Sequence, residues 1–169
     1  LHFLRDAFPA SRHRPRLNVR PIVIGLGNPD RGDDAAGRLA ARALAPHLDD
    51  VAEVVEARGE TTEILTLLEG RDDVVLIDAC VSGARAGTIY ELDMQTDEPP
   101  RNGGEMSSHG LGLAEAIALA RALGALPARC MIYAIEGARF EHGAPLSEEV
   151  AIAVDRLVQT LRRARCAKP

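Results

Sequence analysis

The chain contains no tryptophan and only 3% aromatic residues, so its core must be built from Leu, Val, Ile and Ala. No apolar run approaches the roughly 18 residues of a membrane-spanning helix. The first twenty residues are Arg-rich and hold no apolar stretch of the kind that precedes a secretory cleavage site. Cysteine is scarce: Cys80, Cys130 and Cys166 are odd in number, widely spaced and form no C-x-x-C pair. That usage suits reduced thiols in a cytoplasmic protein, with Cys80 and Cys130 read as small buried strand residues. A net charge of −5 and a pI near 5.5 disfavour a nucleic-acid-binding surface.

Three common motifs are also missing. After Gly25 and Gly27 a dinucleotide fingerprint needs a glycine at position 30, which is Asp30. An acid there, followed by Asp33 and Asp34, would repel a pyrophosphate. No G-x-x-x-x-G-K run exists, which excludes a P-loop, and no G-x-S-x-G exists, which removes the nucleophile elbow of serine hydrolases.

What is present reads as alternating strands and helices. Residues 1–19 carry Arg5, Arg12, Arg14 and Arg16 with Pro9 and Pro15 and no hydrophobic period, and are expected to be a mobile basic tail. A single α/β domain is expected over residues 20–169. Its first strand covers Pro21 to Leu26. A helix follows with Ala36, Leu39, Ala40, Ala43 and Leu44 on one stripe, ending before Pro46. Val51, Val54 and Val55 mark a second strand, and Ile64, Leu65, Leu67 and Leu68 a short helix stopped by Gly70. The run Asp73 to Ala79 is apolar and β-branched between its acids, as expected of a central strand buried on both faces, with Asp78 at its end.

Only about seven residues lead to the next strand, Thr88 to Leu92, too few for a parallel crossover. That strand is therefore expected to be antiparallel and at an edge. Residues 94–108 hold two prolines and two glycines without periodicity and are read as a functional surface loop. A helix begins at His109, capped by Ser107 or Ser108, with Leu113, Ile117, Ala120 and Leu123 on one face. A last strand, Cys130 to Ile135, and a last helix opening on a Ser147 cap complete the chain. The expected fold is a three-layer α/β/α sandwich around a mostly parallel sheet of about five strands with one antiparallel edge strand.

In such a fold, ligands collect outside the carboxyl ends of the strands. Asp34 follows strand one, Asp78 ends strand three and His109 opens a helix. Two carboxylates and an imidazole converging there would suit a divalent ion such as Zn, Ni or Mn, because carboxylates brought together need a cation or a shared proton. Each residue also has a plainer role: an acid at a helix start caps it, and a histidine there more often packs than ligates. Asp33 suits the cap and Asp34 the ligand. His2, His13, His47 and His142 stand in polar or terminal settings and are read as solvated.

Four sets of residues then carry a resemblance. They are Gly25-Leu26-Gly27-Asn28 with Gly32-Asp33-Asp34-Ala35-Ala36-Gly37; Leu76-Ile77-Asp78-Ala79 with Gly87-Thr88-Ile89; Ser108-His109 with Leu111 and Leu113; and Ile135-Glu136-Gly137 with Phe140, Gly143 and Leu146-Ser147. In this order the sequence resembles the hydrogenase maturation proteases, which trim the C-terminus of the large subunit of nickel-iron hydrogenases. The resemblance spans about residues 21–161.

It implies that Asp34, Asp78 and His109 bind the metal and are catalytic. It implies further that the metal is nickel already loaded in the precursor, and that the partner is that precursor. Gly27, Asn28 and Asp33 are expected to contact the substrate, and the protein is expected to act as a monomer. The sequence departs from the family at Glu56-Ala57-Arg58-Gly59-Glu60-Thr61, where an Asp-Gly-Gly-Thr segment is often found.

Two alternatives follow from the same residues. One is a nickel-sensing chaperone that holds the precursor without cutting it. The other rests on Gly25-Leu26-Gly27-Asn28-Pro29, which resembles the opening of peptidyl-tRNA hydrolases. Those enzymes continue with Thr-Arg-His-Asn, where this chain has Gly32-Asp33-Asp34-Ala35.

Overall fold

The computed structural model describes residues 20–99 and 108–166, with side chains described for 20–99 and 112–163. The basic tail at 1–19 lies outside the described residues, as do the side chains of Ser107, Ser108 and His109. Five strands, β1 (Ile22–Gly25), β2 (Glu53–Glu56), β3 (Asp73–Cys80), β4 (Ile89–Asp93) and β5 (Arg129–Glu136), form one sheet in the order β2-β1-β3-β5-β4. All neighbours run parallel except β4, which pairs antiparallel with β5 at an edge.

The helices are α1 (Ala36–Leu48), α2 (Thr61–Leu68), α3 (Ser108–Ala122) and α4 (Glu148–Cys166). Strand residues alternate between faces, so β1 sends Ile22 and Ile24 into a core with Ile64, Leu68, Ile117 and Ala120 of α2 and α3. Val23 goes the other way, into a core with Ala40, Leu44, Val154 and Leu157 of α1 and α4. Both faces being covered explains why β1 and β3 are β-branched without polar alternation. The expected three-layer architecture is the one observed.

Several local expectations need correction. Helix α1 continues through Pro46 to Leu48, because Leu44 and Leu48 are both fully buried and their packing holds the last turn on the core despite the missing N–H. Its buried stripe is Ala36, Gly37, Ala40, Ala41, Leu44 and Leu48 rather than one including Ala43, which is exposed. Gly37 sets that rotation: a Cβ there would lie 2.2 Å from the carbonyl oxygen of Ile77 and 2.5 Å from that of Leu26. Leu123 falls beyond the end of α3 and is 69% exposed. Met94 is fully buried, so the segment expected as a surface loop begins inside the core; residues 100–107 of it lie outside the described residues.

Candidate active site

The chain leaves β1 for β2 on one side and returns for β3 on the other, so the carboxyl ends of β1 and β3 flank a topological switch point. The register puts Gly25 beside Ile77, and the N–H of Leu26 donates to the carbonyl of Ile77 at 2.8 Å. The turn after β1 therefore starts next to Asp78. Gly27 makes that turn possible. It has φ +122, and a Cβ on it would lie 1.8 Å from the carbonyl oxygen of Asp34. The turn closes in a 3-10 segment, Gly32–Ala35.

Asp34 is fully buried in that segment, and its Oδ2 accepts the N–H of Asn28 at 3.2 Å. Asp78 is 4% exposed and its Oδ1 accepts the N–H of Ala79 at 2.8 Å. It lies two residues inside β3, not at the strand's end as the sequence suggested, because β3 keeps its pairing with β5 through Cys80 opposite Glu136. Burial pushes the Asp78 carboxyl up to about 7; the Ala79 N–H opposes the rise and the neighbouring Asp34 charge adds to it. The charge of Asp34 thus reaches the Asp78 carboxyl at the switch point.

The start of α3 is brought to the same end of the sheet. The N–H of Ala57, just past β2, donates to the carbonyl of Gly25 at 2.9 Å. The backbone then turns through Gly59, whose carbonyl oxygen would lie 2.2 Å from a Cβ on Gly112 of α3. The hydroxyl of Thr61 donates to Glu115 of the same helix at 3.0 Å. His109 stands one turn before Gly112, and its side chain lies outside the described residues. Among the described residues no three potential ligands gather into a metal cluster; Asp34 and Asp78 supply two carboxylates of the right chemistry for a borderline divalent ion.

Asp33 plays a different part from either one expected of it. It lies inside the 3-10 segment, and the N-cap positions of that segment and of α1 fall to Arg31 and Ala35. Its Oδ2 accepts the N–H groups of Ala138 and Arg139 at 2.8 and 2.9 Å and the hydroxyl of Ser147 at 2.9 Å. Its Oδ1 accepts the N–H of Ser147 at 2.7 Å. With no exposed surface and both oxygens engaged, this carboxylate has nothing to offer a substrate. It ties the β1–α1 turn to the loop between β5 and α4. Asn28 is also spent partly on the turn, where its Oδ1 accepts the N–H of Asp30 at 2.9 Å.

A second clamp was not expected from the sequence. Glu136 ends β5, is 1% exposed, and accepts the N–H and hydroxyl of Ser82, the N–H of Gly83 and the thiol of Cys80. Burial pushes its carboxyl up, but these bonds together hold it below the usual range, and the same balance holds for Asp33 with its four bonds. The signal available was an acid closing an apolar strand, the same signal that singled out Asp78. Burial and the Glu136 bond raise the Cys80 thiol far above neutrality, and burial pushes the Cys130 thiol up to about 12. Neither is a nucleophile at neutral pH.

The hydrogenase maturation protease model matches residues 38–164. The chain belongs to the hydrogenase maturation protease family. The match takes in Asp78 and His109 and begins four residues after Asp34. The chain is 27% identical to the hydrogenase 2 maturation protease of Escherichia coli strain K12 over 119 residues, 69% of this chain and 73% of that protein. The solved hydrogenase maturating endopeptidase of E. coli superposes with a TM-score of 0.69 at 25% identity, over 86% of this chain and 94% of that one. A [NiFe] hydrogenase maturation protease from Thermococcus kodakarensis shares the fold, with a TM-score of 0.66 at 24% identity over 87% of this chain and 99% of that one. Members of the family are endopeptidases. No helix among the described residues is long and apolar enough to cross a membrane.

Proposed function

We propose that this protein removes the C-terminal extension of a nickel-loaded nickel-iron hydrogenase large-subunit precursor, in the cytoplasm and as a monomer. In this reading Asp34, Asp78 and His109 grip the nickel that the precursor carries, so the metal belongs to the substrate and marks it as loaded. The observation that supports it best is the pairing of Asp34 and Asp78. Two buried carboxylates, one feeling the other's charge, carry a standing electrostatic cost that an arriving cation would relieve.

Water held at this cluster attacks the scissile carbonyl, the peptide C–N bond breaks, and the new amine takes a proton as the new carboxylate forms. Gly27 and Asn28 line the turn over which the tail would pass. The clamps made by Asp33 and Glu136 hold the loops on either side of Asp34 and Asp78, so that metal capture costs little reorganisation.

The test mixes the purified protein with nickel-loaded and nickel-free precursor and follows the precursor's mass. Trimming of the loaded form alone is expected. Trimming of both at equal rates would remove nickel sensing, and tight association without a mass shift would replace the protease by a chaperone. His109→Ala is expected to abolish trimming with the far-ultraviolet spectrum unchanged, and full activity in that variant would remove His109 from the site.

A further inference from the structure

Among the described residues no strand pairs with the outer edge of β4. On its inner edge the N–H of Glu136 donates to the carbonyl of Thr88 at 2.8 Å and the N–H of Met94 donates to the carbonyl of Cys130 at 2.9 Å. Because an antiparallel ladder alternates, these bonds turn Thr88, Tyr90, Leu92 and Met94 inward and leave the N–H and C=O of Ile89 and Glu91 facing out. No described group pairs with those outward groups. The N–H of Asp93, next in line, is already taken by the Asp97 carboxylate at 2.8 Å. The open stretch of edge is therefore two residues long in each bonding direction, and it is bounded.

Beside it, on the α4 face, lies an open cavity of about 450 Å³ lined by Arg85, Thr88, Ile89, Glu149, Ile152 and Arg156. Its wall is fixed by Gly87, where φ is +78 and a Cβ would lie 2.5 Å from the carbonyl oxygen of Glu149. Arg85 and Arg156 are exposed, and neither forms an ion pair with a described residue, unlike Arg38, Arg42, Arg71, Arg121 and Arg129. Ile152 adds an apolar side chain that is 53% exposed. With Glu149 at its rim the cavity carries one net positive charge, which suits a single carboxylate better than a phosphate dianion.

The register ties this edge to Asp78. Asp78 on β3 and Tyr90 on β4 both stand opposite Ala134 of β5. A strand added outside β4 would lie three strand spacings, roughly 14 Å, from β3, a distance that about four extended residues cross.

We propose that the outer edge of β4 and the Arg85–Arg156 cavity dock an extended, acidic segment of the precursor. Its main chain pairs with Ile89 and Glu91, and one carboxylate side chain lies between the two guanidinium groups. Backbone pairing supplies affinity and the cavity supplies selection, as in strand addition generally. The inference rests on the precursor-processing reading above and adds where the precursor is held.

The test uses the full protein with Arg85→Ala and Arg156→Ala combined, residues remote from Asp34 and Asp78. One readout is the anisotropy of a labelled synthetic peptide spanning the C-terminal segment of a nickel-iron hydrogenase large-subunit precursor. The other is trimming kinetics on the loaded precursor. The double variant should bind the peptide about tenfold more weakly, raise KM similarly at unchanged kcat, and lose most of the salt dependence, with Tm unchanged. Neutralising the peptide's Asp and Glu residues one at a time should find a single position that reproduces the loss in the parent protein and has no effect in the double variant. N-methylation along the peptide should weaken binding at alternate residues.

Unchanged affinity and KM in the double variant, with the parent protein trimming normally, overturns the docking surface and leaves the processing reading standing. Sensitivity to amidation of the peptide's terminus, and to no acidic side chain, overturns the assignment of the cavity to a side chain. If the parent protein trims no precursor, the processing reading fails, and docking is then decided by the anisotropy series alone.

Discussion

Among the described residues four acids are buried at the carboxyl end of this sheet, and they fall into two pairs that differ in what surrounds them. Asp33 and Glu136 each accept bonds from four donors, three backbone N–H groups and a hydroxyl for Asp33, two backbone N–H groups, a hydroxyl and a thiol for Glu136, and their carboxyls are held below the usual range. Asp78 is buried too, but its Oδ1 accepts one bond, from the N–H of Ala79, and its carboxyl is pushed up to about 7. Burial pushes all three carboxyls up, and the supply of donors separates the two held low from the one left high. A carboxylate saturated with donors is a structural tie, whereas Asp78, with one such bond, is the acid that the proposed nickel would engage.

That contrast predicts opposite responses to loss of charge. Asp78→Asn should lower the rate of trimming by about a thousandfold or more, the scale at which a group acting only in the reaction is lost. It should leave urea unfolding at pH 6 nearly unchanged, because Asn resembles the neutral acid that burial already favours. Asp33→Ala should do the reverse in emphasis. It strands three backbone N–H groups and the Ser147 hydroxyl, and should cost about 2–4 kcal/mol in urea unfolding. Equal stability losses in the two variants would erase the distinction.

Much of the fold was readable because its strongest signals are local. The β-branched runs of β1 and β3, the short link before β4 and the glycine at 70 each constrain the chain within a few residues. What escaped was tertiary. The stripe of α1 rotated because Gly37 lets the helix backbone approach the carbonyls of Leu26 and Ile77, a contact that no helical period encodes. Asp34 and Asp78 were legible as a pair because one follows β1, the other ends an apolar run, and a parallel sheet puts both at one end. Asp33 and Glu136 were not legible as clamps, since their donors at 138, 139 and 147, and at 82 and 83, come from loops distant in sequence.

The pairs should also separate by pH. Asp78 has a folded pKa raised above its unfolded value, so the stability it contributes is complete below the unfolded carboxylate range near pH 4 and is lost as pH rises through about 7. Asp33 and Glu136 have lowered folded values, so their contribution is present above that range and is lost as pH falls through it. The metal-free protein should therefore be most stable on the acid side of neutrality. Between pH 5 and 8 the parent should lose about 2 kcal/mol relative to Asp78→Asn, measured by urea unfolding at each pH. Parallel curves for the two proteins would place the Asp78 titration elsewhere.

The smallest expected effect sits at the junction of the two pairs. Cys80 is on β3, two residues past Asp78, yet its thiol donates to Glu136 at 3.3 Å. Thiols are weak donors, and Glu136 keeps the Ser82 N–H, the Ser82 hydroxyl and the Gly83 N–H when this one is lost. Cys80→Ser supplies a better donor at a small loss of apolar volume, and should lie within about 1 kcal/mol of the parent. Cys80→Ala removes the donor as well as volume and should be the less stable of the two by about 0.5 kcal/mol. A loss of several kcal/mol in the serine variant would mean that Glu136 depends on the thiol rather than on the backbone. The clamp would then be a side-chain network, and backbone donors would not be what separates it from Asp78.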